Sequence, residues 1–191
     1  GASMFANRRK NSSYLPDSDG LTNPIFYSRL ANPYFTPYNE HGNYNYDIDV
    51  ENDVDMDFGF NPFEELKNTT NETTINGLSS IFDAELRFDD RFKFTTQLGL
   101  QLDKTSIEKI ADEESFAMRK EKKNHRDNGV TYLPDGGFHK ANENSLSQLT
   151  WKAMGEYRDT YNDIHEFEAM VGTEIRKTWE EKLYSAGYGF D

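Results

Sequence analysis

The chain has 191 residues, a formal net charge of −13 and a hydrophobic content of 35%. This acidity argues against a nucleic-acid-binding protein, because phosphate recognition requires clustered lysine and arginine. The absence of cysteine excludes disulfide bonds, cysteine-ligated zinc and thiol catalysis. No continuous apolar segment approaches the roughly twenty residues that a membrane-spanning helix needs, so any membrane contact has to be made by strands.

In the first part of the chain, apolar and polar residues recur without a clear period. Gly1, Ala2 and Ser3 are typical of a remnant left after tag removal, and we interpret the chain as an excised fragment of a longer protein. Residues 4–72 are rich in Asn, Asp, Tyr, Pro and Gly, which predicts a long irregular loop region. Within it, Pro62 and the acidic residues that follow are compatible with either a short helix or a turn.

Four tyrosines of this loop region are the candidates for substrate binding, because aromatic faces stack on sugar rings: Tyr34, Tyr38, Tyr44 and Tyr46. Aromatic side chains also hold large loops together. Packing within the loop is the preferred interpretation of the four.

An acidic run covers residues 47–57, where carboxylates recur at every second position. A calcium loop of the EF-hand type needs Gly at its sixth position and Glu at its twelfth, but this chain has Asn52 and Phe58 there. An exposed acidic loop is therefore the preferred interpretation.

The histidines are scattered, and neither a nucleophile elbow nor a phosphate-binding loop occurs, so we predict no metal site, no cofactor and no catalytic residue.

Further along the chain, apolar and polar side chains alternate strictly in four stretches of about ten residues. A strand that crosses an outer membrane has about this length. Their separations are short within each pair, which predicts two antiparallel hairpins, at residues 73–109 and 145–180. The residues on the mainly apolar side of the four stretches are Leu78, Ser80, Phe82, Ala84, Leu86 and Phe88, then Phe92, Phe94, Thr96, Leu98, Leu100 and Leu102, then Leu149, Trp151, Ala153, Gly155 and Tyr157, then His165, Phe167, Ala169, Val171, Thr173 and Ile175.

The connections alternate between a few residues and several tens. We expect residues 110–144 to form a second long loop and residues 181–191 to begin the next one. Short turns on one side and long loops on the other are typical of bacterial outer-membrane barrels. The periodicity alone fits equally an ordinary antiparallel sheet that is packed on one face and solvated on the other.

Several segments in combination resemble the SusC/RagA-type TonB-linked outer-membrane proteins. They are residues 23–29 (NPIFYSR) with 32–34 (NPY), 82–86 (FDAEL), 116–120 (FAMRK) and 166–174 (EFEAMVGTE). The resemblance covers nearly all of the chain after residue 3, in the order expected for the middle of a barrel.

The resemblance implies an all-β fold, an antiparallel meander of two long hairpins from a transmembrane β-barrel of about 22 strands with long irregular extracellular loops. It implies a TonB-dependent importer of glycans or other oligomeric nutrients in the bacterial outer membrane, without catalysis. The full-length protein would act with a SusD-like surface lipoprotein and TonB, contact outer-membrane lipid, and carry a glycan or peptide substrate. Residues 4–72 and 110–144 would be extracellular, and the tight turns would face the periplasm.

The alternative is an autonomous surface or secreted β-sandwich that binds carbohydrate or protein through its aromatic loops. The two hypotheses differ in what covers the apolar positions. A barrel fragment leaves them exposed and is expected to self-associate, whereas a sandwich buries them in a monomer.

Overall fold

A computed structural model describes residues 1–16, 20–48, 59–162 and 164–190. Of the described residues, 63% lie in strands or isolated β-bridges and 13% in helices, so the protein is all-β as predicted. The strands are β1 (Ala2–Ser13), β2 (Thr69–Phe88), β3 (Phe92–Ala111), β4 (Arg126–Asp127), β5 (Val130–Thr131), β6 (Gly137–Tyr161) and β7 (His165–Phe190). The helices are α1 (Pro24–Leu30), α2 (Pro62–Asn68) and α3 (Phe116–Asn124).

The main sheet has five strands in the order β1-β2-β3-β6-β7, which is an antiparallel meander. A second sheet consists of β4 and β5 alone, paired antiparallel. The turns of the two long hairpins contain Asp89 at φ 65° and Asn162 at φ 56°. Aspartate and asparagine adopt this left-handed conformation more readily than other residues with a side chain, which lets the chain reverse tightly.

Both predicted hairpins are confirmed, but their predicted bounds were too short. The first covers β2 and β3 (residues 69–111, not 73–109), and the second covers β6 and β7 (137–190, not 145–180). Residues 181–191 were predicted to begin a loop, but β7 extends to Phe190, so residues 181–190 are part of a strand. Strand pairing uses backbone groups, so a ladder continues where the side chains no longer alternate in polarity.

The prediction that residues 4–72 form an irregular loop region was wrong at both ends, which lie in β1 and β2. Ala2 and Ser3, interpreted as a tag remnant, lie in β1 with the residues that follow them, and the Gly1 ammonium donates a hydrogen bond to the Asp83 carbonyl oxygen at 2.7 Å. Edge strand β1 carries consecutive basic and polar residues, and pairing of its backbone does not require an apolar face.

Short helices also interrupt the predicted loops. Helix α1 begins after Asn23, whose Oδ1 accepts hydrogen bonds from the first-turn amides, and Asn61 caps α2 in the same way, which confirms the helical option at Pro62. The predicted loop 110–144 contains α3, capped by Ser115, and the β4–β5 hairpin.

The chain divides into two compact units. We call Gly1–Arg9, Thr74–Ser106 and Glu143–Lys182 the sheet unit, and Lys10–Thr73, Ile107–Asn142 and Leu183–Asp191 the loop unit. Every described residue that is buried belongs to the loop unit. Its two hydrophobic clusters consist of Leu15, Ala111, Met118 and Phe138, and of Leu21, Tyr27, Phe60 and Phe116. Among the described residues, no helix has the length and apolarity required to cross a membrane.

Candidate functional site

The sheet unit has one apolar face, formed by the alternating positions of β2, β3, β6 and β7. Its large side chains are between 37% and 77% exposed: Phe82, Leu86, Phe88, Phe92, Phe94, Leu98, Leu100, Leu102, Trp151, Phe167, Val171 and Ile175. We refer to these residues as the apolar face. A half-buried sheet of a soluble protein would cover such residues with a second layer, and no described residue of the sheet unit is buried.

A row of aromatic rings crosses this face near the two tight turns. The ring centroids of Phe92 and Tyr157 lie 4.6 Å apart, and those of Tyr157 and Phe167 lie 6.1 Å apart. The Tyr157 hydroxyl donates a hydrogen bond to Asp159 Oδ2 at 2.9 Å, and the same oxygen pairs with Arg91 Nη1 at 3.3 Å. The strands therefore change over a few residues from apolar rings to a phenol hydroxyl and then to charged groups.

Thr96 is a polar residue on the same side of β3 as the apolar face, and its hydroxyl both donates and accepts a hydrogen bond inside the sheet. It donates a hydrogen bond to the Lys152 carbonyl oxygen and accepts one from the Trp151 indole Nε1, each at 3.0 Å. A hydroxyl satisfied in both roles needs no water. The Thr96 hydroxyl therefore leaves no unpaired donor on the apolar side of the sheet.

The opposite face of the sheet unit is charged. Its pairs join neighbouring strands: Lys93 Nζ with Glu85 at 3.8 Å and with Glu156 at 3.7 Å, Lys152 Nζ with Glu174 at 3.7 Å, and Arg158 Nη2 with Glu168 at 2.8 Å. Exposed pairs of this kind contribute at most about 1 kcal/mol each, so they indicate a wet surface more than a source of stability.

The four tyrosines proposed for substrate stacking lie in the loop unit and differ in their surroundings. Tyr38 packs on Tyr44 at a centroid distance of 5.4 Å, and the Tyr46 hydroxyl donates a hydrogen bond to Glu64 Oε1 at 2.7 Å. Burial raises the pKa of Tyr46, and the Glu64 carboxylate raises it further. Tyr34 is 91% exposed. Three of the rings therefore take part in loop packing, whereas the Tyr34 ring points outward.

Two buried carboxylates of α2 organise the loop unit, and the sequence did not reveal their role. Glu65 accepts hydrogen bonds from the backbone N–H groups of Phe116 at 2.6 Å and Ala117 at 3.2 Å, at the start of α3. Glu64 lies 3.3 Å from Arg119 Nη2. A negative charge near a helix N-terminus is favourable, so Glu65 fastens α2 to α3.

Of the acidic run 47–57, the structure describes residues 47 and 48, and the other nine lie outside the described residues. Asp47 is buried and accepts a hydrogen bond from the Tyr27 hydroxyl at 3.1 Å. Burial and the neighbouring Asp47 charge raise the pKa of Tyr27 far above its usual range. In the described part of the chain, no group of three or more His, Asp or Glu side chains is arranged to hold a metal ion.

Comparison of the sequence with models of known protein families and with curated proteins gave no match.

Proposed function

We propose that the chain forms part of the barrel wall of a TonB-dependent outer-membrane importer of the SusC/RagA type, which takes up glycans or other oligomeric nutrients. The observation that supports this most is the exposed apolar face of the sheet unit. Soluble monomers rarely expose so large a continuous apolar surface. Lipid acyl chains would cover it without a second protein layer.

The length of the apolar face supports a membrane-spanning role. Phe92 and Leu102 bound the apolar positions of β3 and are ten residues apart, which corresponds to roughly 34 Å along a strand at about 3.4 Å per residue. With the strand tilt of about 45° found in outer-membrane barrels, the face would be roughly 24 Å tall, close to the usual lipid-facing band of about 25 Å.

The polarity at both ends of the face agrees with this height. At one end the rings of Phe92, Tyr157 and Phe167 lie next to the charged turns, as in the aromatic girdle at a membrane interface. At the other end Lys104 follows Leu102 on the same side of β3 and pairs with Glu143 at 2.9 Å. Charges therefore begin where the lipid would end.

The charged face of the sheet unit supports a large barrel in particular. Its lysine, arginine and glutamate side chains require water or partners, and the lumen of a large barrel supplies both. The sheet would contribute five strands to the wall. The segments that contain helices α1, α2 and α3 would be extracellular, and a SusD-like lipoprotein and a glycan or peptide substrate would contact them. TonB would act on another part of the full-length protein.

The alternative, an autonomous sandwich, needs a second sheet over the apolar face. In the described part of the chain, the other sheet has only β4 and β5, with two residues each. This observation counts in favour of the barrel, and the sandwich remains the outcome to be tested against it.

Light scattering of the purified chain, with and without mild detergent, tests the proposal. In water we expect an oligomer or aggregate, because the apolar faces of different copies would contact one another. Detergent should cover these faces and disperse the copies. A variant with Leu98→Gln, Leu100→Gln and Val171→Gln should depend less on detergent. A control with Thr95→Ser, Gln97→Asn and Gln101→Asn on the charged face should behave like the parent chain. A monomer that is indifferent to detergent would reject the barrel wall and favour the sandwich.

A further inference from the structure

The loop unit contains a pocket of about 250 Å³ that is lined by three lysines from three different elements. Lys109 comes from β3, Lys120 from α3 and Lys140 from β6. Leu15 and Phe138 form part of an apolar wall. In a chain with a net charge of −13, this is a local concentration of positive charge.

One acidic residue, Glu121, also lines the pocket, and its charge is already used. Its Oε1 accepts hydrogen bonds from Lys140 Nζ at 2.6 Å and from the Tyr188 hydroxyl at 2.8 Å. Burial raises the pKa of Glu121, but these hydrogen bonds outweigh burial and hold the pKa below its usual range. Glu121 is therefore ionised at neutral pH and compensates Lys140.

The Lys120 ammonium lies over the Phe116 ring, at 5.7 Å from its centroid. Lys109 is a further cationic group of the pocket, and it is not paired with Glu121. It makes no ion pair within the described part of the chain, and its side chain is half-buried. The Asn124 amide, which can both donate and accept hydrogen bonds, lines the same pocket. Lysine is a compact point charge that favours an anionic oxygen as its partner.

We propose that this pocket binds an acidic sugar unit through its carboxylate, with Lys109 as the main cationic contact. The proposal rests on the proposed import of glycans, and it narrows the substrate class to glycans that carry uronic acids. The volume is slightly below the roughly 300–1,000 Å³ of drug-sized sites and suits a single ring. The apolar wall would contact the face of a sugar ring, a contact that an inorganic anion cannot make.

Saturation-transfer NMR on the detergent-dispersed chain tests the proposal with D-glucuronate and D-glucose as probes, since the two rings differ only in the carboxylate. We expect glucuronate to bind, to weaken as salt is added, and to bind at least about tenfold more tightly than glucose, as a charge-assisted hydrogen bond predicts. Lys109→Gln should weaken glucuronate binding by about tenfold for the same reason. The control is Lys104→Gln, on the same strand but paired with Glu143 outside the pocket, and it should leave binding unchanged.

Equal binding of the two sugars, no binding of glucuronate, or full binding by Lys109→Gln would overturn the proposal. Displacement of glucuronate by inorganic phosphate at equal or lower concentration would also overturn it, because the site would then recognise only a small anion. The two proposals fail separately. Detergent dispersal without glucuronate binding leaves the barrel wall standing, whereas glucuronate binding by a detergent-indifferent monomer supports the pocket and rejects the importer.

Discussion

The sheet unit and the loop unit use their apolar residues in opposite ways. The loop unit, which composition marks as irregular, buries Phe60, Phe116 and Met118 almost completely. The sheet unit has the stronger apolar pattern, yet none of its described residues is buried. A clear hydrophobic pattern therefore does not by itself imply a core. It shows which residues share an apolar surface, and such a surface can be covered by a second protein layer, another copy or lipid.

The polar side chains of the two units also differ in their surroundings. In the loop unit several polar side chains are buried and hydrogen-bonded internally. An example is Asn61, whose Nδ2 donates to the carbonyl oxygens of Pro37 at 2.8 Å and Asn45 at 2.6 Å. In the sheet unit most of the ion pairs lie on one exposed face, opposite the apolar face. The loop unit thus has a protein core of its own, whereas the sheet unit has an exposed apolar face on one side and a mainly charged face on the other.

The largest expected effect concerns the core of the loop unit. Phe60→Ala removes a ring that is 1% exposed and packs edge-on against Tyr27 and Phe116. We expect a loss of about 3–5 kcal/mol in the free energy of unfolding of this unit, measured by hydrogen exchange of its amides. The control Phe63→Ala, at a position 51% exposed, should cost less than half as much. Equal losses would mean that Phe60 is not a core residue.

The next effect distinguishes lipid from water at the apolar face. Leu98 lies near the middle of the apolar positions of β3, and Leu98→Lys should cost about 2–4 kcal/mol when the chain is folded in lipid vesicles. Unfolding in urea, followed by tryptophan fluorescence, measures this change. Gln97→Lys, on the opposite face, should be nearly neutral, because its ammonium would lie near Asp83, which Gln97 already contacts at 2.7 Å. If the two variants were equally stable, the apolar face would not face lipid.

A smaller effect concerns the link between α2 and α3. Glu65→Ala would leave the N–H groups of Phe116 and Ala117 without this partner in a buried environment, at a cost of about 1–3 kcal/mol. Faster hydrogen exchange at these two amides would show the effect directly. Glu85→Ala, which removes an exposed carboxylate of the sheet unit, serves as the control and should change stability by less than about 1 kcal/mol. Unchanged exchange at the start of α3 would contradict the capping role.

The hydrogen bond between Trp151 and Thr96 should contribute about 1 kcal/mol. Thr96→Val, Trp151→Phe and the double variant form a thermodynamic cycle whose coupling energy isolates this contact, measured by unfolding in detergent micelles. Strictly additive losses would show that the two side chains do not interact.

The smallest expected effect is a pH dependence of the loop unit. The pKa of Glu121 is held below its usual value of 4.5, so its contribution to stability is complete above that value. It is lost as the pH falls through the lower pKa of the folded state. Lys140→Gln removes a main cause of the lowered pKa, so this variant should lose less stability on acidification, as measured by denaturant titrations at several pH values. The same acid sensitivity in both proteins would contradict the role of this pair.

What the sequence predicts depends on whether a feature is local. The hairpins follow from a period of two and from short turns at Asp89 and Asn162, and α2 follows from Asn61 and Pro62. Strand β1 could not be predicted, because pairing of an edge strand requires only its backbone. The contact from Glu65 to Phe116 spans 51 residues, and the lysine pocket combines positions from three elements, so neither has a local signature.

Solvent accessibility of neighbouring side chains tests the central claim most directly. Since the chain has no cysteine, Leu100→Cys and Gln101→Cys each provide a single site for a nitroxide label. In lipid vesicles, we expect the label at residue 100 to collide mainly with dissolved oxygen and the label at residue 101 mainly with a water-soluble nickel complex. Equal access of the nickel complex to both positions, or shielding of residue 100 from both reagents, would contradict a lipid-facing sheet.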